Sequence, residues 1–89
     1  MIHYEVRSID PIRESEGGWN WNESYVVGSI DISEDASNDE LISAMIDNGY
    51  FREGVNRNDI HVEEFGERDI EFQDSENDYM PLYALQEED

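Results

Sequence analysis

Helical spacing of apolar residues marks one stretch, SEDASNDELISAMIDNGYF (residues 33–51), whereas period-two alternation runs through most of what remains. Ser37 and Glu40 stand three apart as a capping box, and Asp39 and Glu40 suit the positive end of a helix. Leu41, Ile42, Met45 and Ile46 form one apolar stripe, and Gly49 follows the last turn. A chain with one such helix must bury its stripe against a sheet.

Strands are expected on both sides of it. Ile2, Tyr4 and Val6 alternate with His3, Glu5 and Arg7, and the pattern is expected to stop at Asp10-Pro11, where proline removes a ladder donor. The polar run PIRESEGG (residues 11–18) reads as a loop, and a second strand covers about residues 19–32. Within that strand Trp19, Trp21 and Tyr25 share one parity, and Val26, Gly28, Ile30 and Ile32 the other. A bulge near residues 25–28, or a sheet covered on both faces there, accounts for the switch.

Beyond the helix, DIHVEEF is a strand with Ile60 and Val62 inward, a turn over residues 66–69 leads into Ile70 and Phe72, and a last strand spans about residues 79–85. The expected order is β-β-α-β-β-β: an α+β fold with an antiparallel sheet of four to five strands and one helix on a face. Residues 1–86 form a single domain, and Glu87, Glu88 and Asp89 a frayed acidic tail. The pattern does not fix strand order.

Eighty-nine residues are enough for one core and no more. The chain has no cysteine, so disulfides, thiolate metal sites and cysteine catalysis are excluded. The start, MIHYEVRSID, does not read as a signal peptide, and no window approaches the roughly 20 apolar residues of a membrane span. A soluble, cytoplasmic protein is expected. Twenty-four Asp and Glu oppose five arginines, with no lysine, for a formal charge of −19. Such a surface repels nucleic acid and anionic membranes and attracts basic partners. Two tryptophans, five tyrosines and three phenylalanines in periodic segments distinguish the chain from a disordered acidic tail.

Catalysis finds few parts. There are two histidines, no G-x-S-x-G and no Gly-rich phosphate loop. His3 and His61 fall on the polar parity of their strands, as solvated histidines do. Glu63 and Glu64 are sequence neighbours on a strand and point to opposite faces. An EF-hand loop starting at Asp74 would put Tyr79 at its glycine position and Leu85 at its glutamate position. The reading is a non-enzyme with no cofactor and no metal.

The segment FGERDIEFQDSEND (residues 65–78) carries six carboxylates and one arginine while keeping the strand pattern of Ile70 and Phe72. Alternate strand residues lie about 6.6–6.8 Å apart on one face, so Glu67, Asp69 and Glu71 would display a row of carboxylates. Phosphates along a nucleic-acid strand stand on the order of 6–7 Å apart, from the 3.4 Å axial rise plus the helical sweep. Asp74, Glu76 and Asp78 would extend that charge, and Glu63 would join from the neighbouring strand. Charged strands commonly serve as solvated faces or protected edges; solubility alone is served by a net charge of roughly 2–8, far below the value here. Trp19 and Trp21 are the apolar contact candidates, since tryptophan is enriched among binding hot spots.

In size, charge, lack of cysteine and acidic rows such as Glu67, Asp69 and Glu71, the chain resembles the small acidic proteins that phages and mobile elements use against host defence, DNA-mimic antirestriction proteins and anti-CRISPRs among them. The resemblance covers the chain as composition, with no aligned motif and no residue carried over. It implies a stoichiometric inhibitor, monomeric or homodimeric, acting in the host cytoplasm on a basic nucleic-acid-binding protein such as a CRISPR effector or restriction enzyme, without touching nucleic acid or membrane. The alternative is a structural or protein-interaction domain of a salt-adapted organism or virus. Missing lysine fits it; absent threonine, three alanines and nine isoleucines do not.

Overall fold

The computed structural model describes residues 1–13, 19–66 and 69–88, without the side chains of residues 13 and 19–22. Its elements are β1 (Ile2–Arg13), β2 (Trp19–Ile32), α1 (Asn38–Asp47), a 3-10 turn (Arg57–Asp59), β3 (Ile60–Phe65), β4 (Asp69–Asp74) and β5 (Met80–Glu87). The five strands form one antiparallel sheet in the order β2-β1-β5-β4-β3. This is an α+β fold with one helix, as the alternation of apolar residues implies.

The capping box is formed: Ser37 Oγ accepts from the Glu40 N–H at 3.2 Å, and the Ser37 N–H donates to Glu40 Oε1 at 3.4 Å. The helix buries Leu41, Ile42 and Met45 against Tyr4, Val6, Ile30, Ile70, Phe72 and Leu85 of the sheet. Phe51, just past the helix, sets its ring edge-on to Phe72 and Tyr83, with centroids 5.6 and 5.4 Å away. One face of the sheet thus holds the core. Among the described residues the other has no helix on it.

The parity switch in β2 has its cause in a bulge. Val6 pairs with Gly28 and Arg7 with Val26, leaving Val27 as the extra residue. Gly28 suits that place because a Cβ there would meet the Tyr50 hydroxyl, whose ring packs edge-on to Tyr83 at 5.9 Å. A second register shift lies between Asp10 and Pro11, and here the structure departs from expectation, because β1 runs through Pro11 to Arg13. The register of β1 with β5 covers only residues 4–8. From Ile9 onward β2 alone borders it among the described residues, so a proline at an irregularity disrupts little ladder. The loop expected at residues 11–18 therefore gives up its first three residues to β1; residues 14–18 lie outside the described residues.

The acidic end also differs. Glu87 belongs to β5, the Glu88 N–H donates to the His3 carbonyl at 2.9 Å, and the Glu88 carboxylate reaches His3 Nε2 at 3.0 Å. Neighbouring β1 supplies both partners, so these two residues are docked; Asp89 lies outside the described residues.

Candidate protein-binding face

Register assigns the residues of the face away from the helix, since paired residues on neighbouring strands share a side. One row across the sheet reads Ser29, Glu5, Gln86, Asp69, Phe65, and the next Val26, Arg7, Ala84, Glu71, Glu63. His61 stands opposite Gln73. Four carboxylates, Glu5, Glu63, Asp69 and Glu71, therefore occupy two adjacent rows.

Among strand residues with described side chains, Arg7 is the one arginine. Its Nε lies 3.0 Å from Glu5 Oε1 and donates to Gln86 Oε1 at 3.0 Å, and its Nη1 donates to Ser24 Oγ at 3.3 Å. Two strand spacings of 4.7–4.9 Å put it on the order of 10 Å from Glu71. Arg7 thus balances its own end of the face, and among the described residues the β3 and β4 end carries carboxylates and no arginine.

Glu63 and Glu71 are direct cross-strand partners, a like-charge pairing that costs stability. Each has a neighbour two residues away on its own strand: His61 Nε2 lies 3.3 Å from Glu63 Oε2, and Gln73 Nε2 donates to Glu71 Oε1 at 2.8 Å. Glu71 lies on the expected face but is not displayed, being only 6% exposed, with Gln73 at 8%.

A cavity of about 560 Å3 opens over these two residues. Pro81 and Ala84 give it an apolar floor, while Phe65 and Tyr79, 47% and 55% exposed, line it as well. Asp69, Asp78 and the Gln86 amide complete the polar lining. Tyr79 arrives there through a backbone that side chains rarely adopt: Asp78 and Tyr79 have φ of 54° and 58°. Its ring meets His61 edge-on at 5.3 Å.

The cavity brings Asp69, Glu71 and Asp78 together, with Glu63 beside them in register. Asp74 does not extend the row: it pairs with Ile60 on the helix side, and its Oδ1 accepts from the Glu76 N–H at 3.1 Å, closing the turn of residues 75–79. Glu76 is exposed in that turn. Glu67 lies outside the described residues. Trp19 and Trp21 pair through their backbones with Arg13 and Pro11 at the far end of the β1–β2 ribbon, and their side chains are outside the description. Phe65 and Tyr79 are exposed rings of this cavity that the acidic row hides. Phe65 carries a signal for them, an apolar side chain on the polar parity of its strand.

Both histidines are exposed and bound to carboxylates. His3 Nδ1 meets Asp31 Oδ1 at 2.6 Å and Nε2 meets Glu88, and the Asp31 hydrogen bond above all raises its pKa from the ordinary 6.5. On the core side burial raises the Tyr4 hydroxyl pKa, with Glu87 and Glu64 adding to it. Among the described residues no group of three or more His, Asp or Glu could hold a metal ion, and no helix is long and apolar enough to cross a membrane. No family model matches the chain, and no curated protein or solved structure matches it either.

Proposed function

We propose that the chain is a stoichiometric, non-catalytic binding protein whose open sheet face occupies the basic nucleic-acid-binding surface of a partner protein, as an antirestriction or anti-CRISPR inhibitor does, in the cytoplasm of a host cell. The observation that carries this reading is the distribution of charge among the described residues of that face, where Glu63, Asp69, Glu71 and Asp78 gather while Arg7 sits two strands away against Glu5. Both ring nitrogens of His3 are taken by carboxylates, Asp31 and Glu88, which leaves that ring no nitrogen to serve as base toward a nucleophile.

The test is capture of partners from a host lysate at about 0.1 M salt, where charges act over about 10 Å, with duplex DNA and RNA as competitors. Mimicry requires that a captured nucleic-acid-binding protein be released by the competitor. Capture indifferent to both nucleic acids would overturn it.

One observation favours the salt-adapted alternative: acidity is not confined to the open face, since Asp35, Asp47 and Glu53 are exposed on and around the helix. A domain built for hydration would lose its fold below molar salt. A mimic must be folded at physiological salt, where its partner works.

A further inference from the structure

We propose that the cavity between Phe65 and Tyr79 receives one arginine side chain of the basic partner. The inference rests on the reading above only in taking the arginine from a basic protein; the chemistry is that of the cavity itself.

Three features select a guanidinium. Asp69, Glu71 and Asp78 line the cavity with carboxylates, and the Gln73 and Gln86 amides stand beside them. An arginine offers five N–H donors in a planar fork, matched to carboxylates at several positions at once. Phe65 and Tyr79 are large exposed rings in the same lining, and aromatic faces attract a guanidinium placed over them. Pro81 and Ala84 present apolar surface of the kind along which an arginine stem packs while its head stays polar.

Charge gives the occupant its sign. Asp69, Glu71 and Asp78 are the charged groups among the described residues of the lining, so the cavity favours a cation over an anion. A lysine would satisfy charge alone; its compact, strongly hydrated ammonium neither stacks nor forks.

The experiment is an NMR titration of the whole protein with three blocked tripeptides, Gly-Arg-Gly, Gly-Lys-Gly and Gly-citrulline-Gly. The arginine peptide is expected to shift the Gln73 and Gln86 side-chain amides and the Tyr79 ring, with the lysine peptide weaker and the citrulline peptide inert. Phe65→Ala, at an exposed position, should weaken the arginine peptide about two- to fivefold, and Glu71→Gln about tenfold or more. Equal shifts from arginine and lysine peptides, shifts as large around Asp47 as around Gln73, or a folded Phe65→Ala variant that binds unchanged would each overturn the proposal. The two readings fail separately. Arginine-selective binding together with partner capture that ignores DNA would leave the cavity and remove mimicry, and DNA-sensitive capture without arginine selectivity would do the reverse.

Discussion

Glu71 shows how one side chain can be correctly placed and still misjudged. Alternation with Ile70 and Phe72 sends it to the face away from the helix, which its pairing with Ala84 and Glu63 bears out. Its burial was not legible, because alternation gives a residue's side of the sheet and not what stands around it; one wall of the cavity, Tyr79, arrives through two consecutive left-handed residues that no strand pattern announces. Like charges directly opposite cost stability, so Glu71→Gln is expected to stabilise the fold by about 0.2–1 kcal/mol in urea unfolding. A loss of stability would mean that the carboxylate's own hydrogen bonds outweigh the repulsion from Glu63. His3 gives a pH signature. Its pKa is raised on folding, so the protonated ring favours the folded state fully below about 6.5, and that contribution is lost as pH rises through the higher folded value. The urea midpoint of the native chain should fall over that window relative to His3→Gln, and parallel curves would rule out the Asp31 and Glu88 contacts as the cause.

At the scale of elements, helix and strands were legible for different reasons. The helix announces itself through its cap, which acts locally: Ser37→Ala should cost about 0.5–2 kcal/mol, read as a lower thermal midpoint with the sheet otherwise intact. A midpoint within error of the native one would mean that the capping hydrogen bonds add nothing beyond tertiary packing. The bulge at Val27 was legible because a parity switch in a strand that must keep a core side has few other causes. Strand order was not, since parity says which side a residue faces and nothing about its neighbour. Pro11 misled for a related reason. Whether a proline ends a strand depends on who borders it, and beyond Ser8 only β2 borders β1 among the described residues. Glu88 was assigned to a frayed end because its tie to His3 is a pairing across the sheet, invisible in local sequence.

For the whole molecule the governing quantity is a charge of −19 on 89 residues. Self-repulsion of that size weakens the compact state, and salt screens it, so the melting temperature should rise smoothly between about 0.05 and 0.5 M salt with the chain folded throughout. An unfolded chain at physiological salt would favour the salt-adapted alternative. Net charge alone would draw any basic protein, whereas the proposed function assigns binding to one face. The direct test is therefore to compare two variants of equal charge for affinity to a captured partner: Glu63→Gln with Asp69→Asn and Asp78→Asn on the open face, against Asp35→Asn with Asp47→Asn and Glu53→Gln on the helix side. The account predicts that the open-face variant loses most of its affinity and shows a shallower salt dependence, while the helix-side variant stays close to the native chain. Equal losses in both would contradict it, reducing the interaction to charge without a site.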